Sequence, residues 1–160
     1  DFKSDLALIF EPVRSNYIET ISTINQPIQA VMSPEHPLSK FKSINLSDCL
    51  KYPLALPPSP YAVREILETA AAEESLDLNP TVEAESYIFL HNFVSRKKNA
   101  ISFEVEIDVP KQSLNRSIST VPINLSKSHQ GQIHLLKLQG RTFSGATEQF
   151  IKQLLYVFNK

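Results

Sequence analysis

The chain has 160 residues, 42% of them hydrophobic and 21% charged, which is typical of a folded globular protein. Sixteen basic and seventeen acidic side chains leave a net charge of −1, so the sequence lacks the excess of positive charge that binds nucleic acid or anionic membranes. No apolar run approaches the roughly 18–20 residues that span a bilayer, and a single cysteine excludes an intramolecular disulfide and a cysteine-based zinc site.

The first third of the chain is rich in short predicted strands. Residues 5–10, DLALIF, form a continuous apolar run that is typical of a strand buried on both faces. The next segment, 17–25, is rich in isoleucine and threonine and is predicted to form an edge strand. The remaining elements of this part are a strand at 27–31, a helical turn capped by Asn45 or Ser47, and a strand at 54–56.

A helix is predicted at 60–75, directly after a proline-rich turn. Ser59 is a good N-cap residue, and Pro60 suits the first helical position. Apolar residues recur at the spacing of one helix face, at Val63, Ile66, Leu67 and Ala70. The glutamates and Arg64 are predicted to lie on the outer face.

The second half of the chain alternates strands and helices. Ser86 is predicted to cap a helix at 87–98, whose basic last turn suits the helix dipole. Strands are predicted at 81–85, 100–107, 117–123 and 132–138. One face of the final helix carries Phe143, Thr147, Phe150, Ile151, Leu154 and Phe158. About seven strands alternating with three or four helices predict an α/β fold with mostly parallel sheets.

The histidines decide whether the chain is better interpreted as an enzyme or as a binding protein. His36, in the cluster SPEHP at 33–37, could be a catalyst, a metal ligand or part of a turn. A metal site would need further ligands at suitable spacing, and none is nearby. His91, His129 and His134 likewise stand in no catalytic pattern with serine or carboxylate, and no phosphate-binding glycine loop is present. We therefore predict no catalytic residues, no metal site and no cofactor.

Two predicted helix starts, at Ser59 and Ser86, each follow a strand. They favour a ligand-binding protein over an enzyme. Helix amino termini offer unpaired amide donors and the positive end of the helix dipole, which suit a carboxylate or another anion. In open α/β sheets, ligands lie beyond the carboxyl ends of the strands. The two serines are therefore candidates for capping and for contact with an anion. Cys49 is predicted to be a small core residue, and 96–98 a basic helix end.

Taken in order, several segments resemble the effector-binding domain of LysR-type transcriptional regulators. The most specific pairing is a D-L-A-L strand upstream of a strand that ends in H-P-L, here 5-DLALIFEP-12 and 31-VMSPEHPLSKF-41. The family's later strands and helices match 46-LSDCLKYPLAL-56, 57-PPSPYAVREIL-67, 85-ESYIFLHNFVSRKKNAISF-103 and 135-LLKLQGRTFSGATEQFIKQL-154. The sequence departs from the family where Lys97, Lys98 and Asn99 replace the glycines that precede a strand.

The resemblance implies a fold like that of type 2 periplasmic binding proteins, with two α/β lobes that are joined by crossover strands and enclose a small-molecule cleft. Lobe one would comprise 1–30 and 122–160, and lobe two 31–121. Lobe one would be incomplete, because the family has further strands and helices before the D-L-A-L strand. It should therefore expose apolar surface, which we expect a partner chain to cover. In this fold His36 belongs to a structural turn.

The same resemblance implies a ligand-sensing regulatory domain that is not an enzyme and whose partner is a small, anionic effector. The expected ligand-binding residues are Phe10 and Glu11 on one wall and Pro58, Ser59, Ser86 and Ile101 on the other. The effector would favour one arrangement of the lobes and so bias the DNA-binding arrangement of a cytoplasmic homo-oligomer. DNA would be contacted only through a helix-turn-helix domain outside this chain, and no membrane contact is expected.

Two other classes of protein share this fold. A solute-binding protein of a transporter would carry a signal peptide or a lipoprotein cysteine upstream of the domain. An enzyme would need a catalytic group projecting into the cleft, and the histidines are not placed for one. The regulator is therefore the leading hypothesis, and the solute-binding protein is the alternative.

Overall fold

A computed structural model of the chain describes residues 4–10, 15–105, 117–126 and 131–158. The chain divides into two compact units, the first combining Asp1–Asn25 with Gln132–Lys160 and the second comprising Gln26–Gly131. The strands are β1 (Leu6–Phe10), β2 (Ile18–Gln26), β3 (Ile28–Met32), β4 (Leu54–Leu56), β5 (Pro80–Glu83), β6 (Ile101–Val105), β7 (Ser119–Pro122) and β8 (Gly131–Leu138). The helices are a 3₁₀ helix at Pro37–Lys40, α1 (Leu46–Cys49), α2 (Ala62–Glu73), α3 (Tyr87–Arg96) and α4 (Gly145–Phe158). In the described ranges, no helix is long and apolar enough to cross a membrane.

The second unit is built on a five-stranded mixed sheet in the order β5-β4-β6-β3-β7. Strand β4 is parallel to β5 and to β6, whereas β3 is antiparallel to both β6 and β7. The prediction of mostly parallel sheets is therefore wrong. Strand β3 is the first strand of this unit and β7 is its last strand, and the two run in opposite directions. Strand β3 also runs opposite to β6.

Helices cover the sheet of the second unit on two sides, because successive strand residues point to opposite faces. On the α2 side, the core contains Met32, Leu56, Leu67 and Phe103, each with less than 2% exposure. On the α3 side, it contains Val31, Ala55, Leu90, Val94 and Ala100. Strands β3 and β4 thus supply side chains to both layers, and the sheet packs between α2 and α3.

The first unit has a three-stranded sheet in the order β1-β8-β2. Strand β1 is antiparallel to β8, with Leu6 opposite Lys137 and Phe10 opposite Ile133. The prediction that residues 5–10 are buried on both faces is wrong, because Leu8 is 47% and Ile9 41% exposed. This result confirms the predicted exposure of apolar surface on this part of the chain.

Helix α4 forms the last element of the first unit and only partly matches its predicted apolar face. Ile151 is buried, as the pattern indicates, and Leu154 is half-buried. Phe150 is 57% exposed, however, although the pattern placed it on the same face. An apolar stripe on a helix is buried only where a neighbouring element covers it, and within the described residues nothing covers Phe150 fully.

His36 belongs to a turn, as predicted from the resemblance. Its Nδ1 accepts a hydrogen bond from the N–H of Leu38 at 3.1 Å and so caps the 3₁₀ helix. Its ring packs edge-on against Tyr52, with ring centroids 4.4 Å apart, and the residue is fully buried. Where the structure describes the chain, no group of three or more His, Cys, Asp or Glu residues is placed to hold a metal ion.

Cys49 is a core residue, as predicted. Its side chain is fully buried in helix α1. Burial, together with the charge of Asp48, raises the pKa of the thiol to about 12. The thiol therefore stays protonated at neutral pH and is a poor nucleophile.

Candidate functional site

The carboxyl ends of the parallel strands β4 and β5 bring two helix starts to one edge of the second unit's sheet. Leu56 lies opposite Glu83, and the N–H of Ala84 donates to the carbonyl of Leu56 at 3.1 Å. Residues 57–61 then lead into α2, and residues 84–86 lead into α3. We call these two loops, with the adjoining end of β6, the carboxyl edge.

Ser86 caps helix α3, which confirms its prediction as an N-cap residue. Its Oγ accepts a hydrogen bond from the N–H of Phe89 at 3.3 Å. The serine itself is exposed, and helix α3 ends at Arg96, two residues before the predicted end. The hydroxyl is thus occupied in capping, while the remaining N–H groups of the first turn face the carboxyl edge.

Replacing Ser86 with alanine should lower the free energy of unfolding by about 1 kcal/mol, the usual cost of losing an N-cap side chain. Urea denaturation of the two proteins measures this difference. Ser95→Ala is the matched control, because that hydroxyl only bonds the carbonyl of Asn92 within the same helix; we expect a change of about 0.5 kcal/mol or less. Equal effects of both substitutions would contradict the capping role.

Ser59 does not cap helix α2, so its predicted role as N-cap is wrong. The helix begins at Ala62, and its N-cap residue is Tyr61, whose side chain forms no capping hydrogen bond. The N–H of Tyr61 donates to the carbonyl of Pro58 at 3.1 Å, which encloses Ser59 and Pro60 in a turn before the helix. Ser59 is exposed on this turn, next to a helix amino terminus without a side-chain cap.

Arg64 is buried, although the sequence pattern predicted it on the outer face of its helix. The residue is 8% exposed, with Nη1 2.7 Å from Oε1 of Glu83 and Nε 2.6 Å from Oε1 of Glu68. Nη1 also donates to the carbonyl of Pro57 at 3.4 Å. Burial by itself lowers the pKa of Arg64, but the hydrogen bonds and charges of Glu83 and Glu68 outweigh it and raise that pKa. Arg64 thus holds together the loop that carries Ser59 and the end of β5.

A second polar group at the carboxyl edge was not foreseen from the sequence. His91 Nε2 lies 2.8 Å from Oε2 of Glu104, which joins α3 to β6. Burial, the charge of Glu104 and, to a lesser degree, Tyr61 raise the pKa of Tyr87. The signal in the sequence was weak, because these residues come from α3, from β6 and from the loop before α2, and they meet only through the strand order.

The other predicted ligand-binding residues do not all gather at this edge. Pro58 is half-buried beside Ser59. Ile101 is paired with Leu54 at the amino ends of β6 and β4, and its side chain is fully buried in the core. Ile101 therefore lies at the opposite end of the strands from the loop that carries Ser59, and its apolar contact with an effector stays a prediction. Phe10 is half-buried at the end of β1 in the first unit, and Glu11 lies outside the described residues.

The first unit has a shallow, open depression of about 740 Å³. It is lined by Tyr17, Leu138, Gln139, Gly140, Arg141 and Thr142. The one charged residue in its lining, Arg141, is already paired with Asp5, and no predicted site residue lines it. The carboxyl edge, which combines helix termini with buried and half-buried polar groups, is the better candidate for ligand binding.

A model of the LysR substrate binding domain family matches residues 1–159 of the chain. None of the curated protein sequences matches it significantly. Among solved structures, the chain is similar to the effector-binding domain of QuiR in complex with shikimate, with 24% identity and a TM-score of 0.70 over 92% of this chain and 68% of that one. It is also similar to the BenM effector-binding domain with its effector benzoate, with 16% identity and a TM-score of 0.69 over 88% of this chain and 63% of that one.

A longer protein shows the same likeness. The putative LysR family transcriptional regulator PA01 from Pseudomonas aeruginosa has 16% identity and a TM-score of 0.76. The match covers 98% of this chain but 54% of that one, so the chain spans about half the length of this regulator. At these identities the structural likeness shows the fold, which is that of type 2 periplasmic binding proteins, as predicted.

Proposed function

Because the chain belongs to the LysR substrate-binding domain family, we propose that it is the ligand-sensing domain of a transcriptional regulator and that a small anionic effector binds at its carboxyl edge. Domains of this family regulate and do not catalyse, and we extend this to the chain. The family favours the regulator over the solute-binding protein of a transporter that shares the fold.

The observation that carries the proposal is the uncapped start of α2 beside the exposed Ser59. The first N–H groups of a helix have no partner within the helix, and here Tyr61 supplies no side-chain oxygen to satisfy them. They are therefore free to bind a carboxylate, which the positive end of the helix dipole also favours. The start of α3 at Ser86 adds a second set of donors along the same edge.

The bound anion would be recognised by dipoles rather than by a free cation. Arg64 lies close by, but Glu68 and Glu83 already neutralise its charge. Shikimate and benzoate, the ligands of the QuiR and BenM domains, are both carboxylates. A carboxylate bound by amides and a hydroxyl at this edge is chemically consistent with both.

The remaining roles concern the whole protein and extend the same proposal. The effector would shift a homo-oligomer between two states. The oligomer would contact DNA through a domain outside this chain. The half-buried Pro58 is proposed to contact the effector through its apolar face, and Phe10 stays a predicted binding residue. Glu11 keeps its proposed place among the binding residues.

Replacing Ser59 with alanine should weaken the binding of a carboxylate about tenfold, equivalent to about 1.4 kcal/mol, because one hydrogen bond to a charged group is lost. Titration calorimetry with benzoate and with shikimate as separate probes measures the affinity. Ser43→Ala is the control and should leave the affinity unchanged, because Ser43 is exposed and adjoins Ile44, which bridges Ile123 on the β7 side of the sheet. Equal affinity of the Ser59→Ala and unsubstituted proteins would remove Ser59 from the site, and binding of neither probe would contradict the proposed function.

A further inference from the structure

We infer that the carboxyl edge selects carboxylates that also carry a hydrogen-bond donor, a hydroxyl or amino group, which the carboxylate of Glu104 accepts. This inference rests on the proposed function and names the chemical class of its ligand. It assigns Glu104 as the residue that determines specificity and His91 as the residue that positions it.

The strand register places Glu104 at the carboxyl edge. Strand β6 is parallel to β4, with Leu54 opposite Ile101 and Ala55 opposite Ser102. Counting along both strands brings Glu104 level with Pro57, one residue past the end of β4. The side chain therefore stands where the loop that carries Ser59 begins, and it points to the α3 side of the sheet, where His91 meets it.

The contact with His91 orients the carboxylate of Glu104 but leaves acceptor capacity unused. His91 occupies one oxygen, Oε2, at 2.8 Å, whereas a carboxylate can accept about four hydrogen bonds through its two oxygens. The side chains of His91 and Glu104 are 27% and 21% exposed. The pair is thus held in one geometry by its partly buried position and still reaches the surface, as a ligand-recognising group requires.

Two tyrosines lie at the starts of the two helices, and one of them, Tyr87, is close enough to feel the charges of Glu104 and Tyr61. Tyr61 precedes α2 and is 37% exposed, and Tyr87 is the first residue of α3 and is half-buried. Burial and the charge of Glu104 raise the pKa of Tyr87, so its hydroxyl stays a donor at neutral pH. Their rings can contact an apolar ring of a ligand, while the helix amides bind its carboxylate.

Glu104 allows the carboxyl edge to distinguish between carboxylate ligands, because it adds a negative charge to a site that binds an anion. A ligand with a carboxylate and nothing else would leave the free oxygens of Glu104 partly desolvated and close to a like charge, which weakens its binding. A ligand with a hydroxyl or amino group on the far side of its ring would satisfy those oxygens. A site that forms a hydrogen bond with a ligand hydroxyl strongly rejects analogues that lack this hydroxyl. An apolar pocket discriminates less strongly against a ligand that lacks one methylene group.

Titration calorimetry of the protein with benzoate, 3-hydroxybenzoate, 4-hydroxybenzoate and 3-aminobenzoate tests the inference. We expect at least one donor-bearing probe to bind about tenfold more tightly than benzoate, which equals about 1.4 kcal/mol. In Glu104→Gln and Glu104→Met, that preference should fall below about threefold, because the charged acceptor is lost. The ratio of affinities is measured rather than one affinity, because a purely structural role of the His91–Glu104 pair would change all probes alike.

Glu74→Gln is the matched control, since it removes the same charge from an exposed residue at the carboxyl end of α2, away from this edge, and should leave the preference unchanged. Thermal unfolding verifies that each variant is folded, and Glu104→Gln keeps the test decisive if the methionine variant does not fold. Benzoate binding as tightly as every donor-bearing probe overturns the inference and leaves the proposed function standing. A preference that survives both Glu104 substitutions overturns the inference in the same way. Binding of no probe overturns the carboxylate site itself.

Discussion

Replacing Arg64 with methionine should lower the free energy of unfolding by about 3 kcal/mol, as expected when one partner of a buried ion pair is removed. The side chain of Arg64 is 9% exposed, and its guanidinium bonds two carboxylates and a backbone carbonyl. Glu68 and Glu83 are 45% and 48% exposed, so water can solvate them after the substitution and the loss stays below the upper end of the usual range. Urea denaturation at neutral pH measures the change.

Lysine at position 64 should recover less than half of that loss, because its single ammonium cannot reproduce the forked contact with two carboxylates. Lys51→Met is the control: Lys51 also pairs with a carboxylate, that of Asp48, but it is 70% exposed. Solvent screens such exposed pairs, so Lys51→Met should change the free energy of unfolding far less than Arg64→Met does. A comparably small effect of Arg64→Met would show that the buried network adds little to stability.

The Arg64 substitutions should also weaken effector binding, because Arg64 bonds the carbonyl of Pro57 at the start of the loop that carries Ser59. We expect a loss of affinity of about tenfold in Arg64→Met even at temperatures where the protein is fully folded. Calorimetric titration with the probe that binds the unsubstituted protein most tightly measures it. Unchanged affinity would mean that the loop keeps its conformation without the arginine.

Arg64 also illustrates where reasoning from the sequence succeeded and where it did not. The apolar spacing of Val63, Leu67 and Ala70 correctly predicted helix α2 and its buried face, because a helical period is a local property. The same pattern put Arg64 outside, since a charged residue off the apolar stripe is usually solvated. Its true partner, Glu83, is nineteen positions away on a strand, and no local pattern contains that pairing.

The start of α2 shows a conflict between two local signals. A serine followed by proline is a good helix start, but the N–H of Tyr61 instead closes a turn onto Pro58. The start of α3 had no competing turn, and Ser86 caps it as predicted. Capping was therefore predictable from the sequence where only one local structure was available.

The direction of a strand and the exposure of its side chains could not be predicted from the sequence of that strand alone. The apolar run in β1 has the composition of a buried strand, yet Leu8 and Ile9 are exposed because its sheet has three strands in the described part of the chain. Likewise, Ile101 and Glu104 lie in one short strand but at opposite ends of the sheet. Alternation along a strand predicts which side chains share a face, whereas pairing with β4 decides which of them reach the carboxyl edge.

Replacing His36 with asparagine should lower the free energy of unfolding by about 2 kcal/mol at pH 7.5. The smaller side chain leaves space beside Tyr52 in a fully buried position, and large-to-small changes in a core cost roughly this much. Asparagine can still accept the hydrogen bond from the N–H of Leu38, because it is itself a good capping residue. The substitution thus removes the titratable ring while it keeps the turn.

The stability that His36 contributes should disappear as the pH falls. Burial lowers the pKa of His36 below its usual 6.5, and the backbone of Asn99, which favours the protonated ring, offsets this only partly. In the unfolded chain the ring takes up a proton near pH 6.5, whereas the folded state binds it only at lower pH. The unfolded state therefore binds more protons between these two pKa values, so stability decreases as the pH falls through them.

The difference in unfolding free energy between the unsubstituted protein and His36→Asn should therefore be largest above pH 7 and shrink steadily towards pH 5. Urea denaturation at half-unit steps of pH measures it, and taking the difference cancels the contributions of all other groups that both proteins share. A difference that stays constant over this range would mean that the buried ring accepts a proton as readily in the folded state as in the unfolded one. It would then follow that the turn at His36 tolerates a charge, in conflict with its full burial against Tyr52.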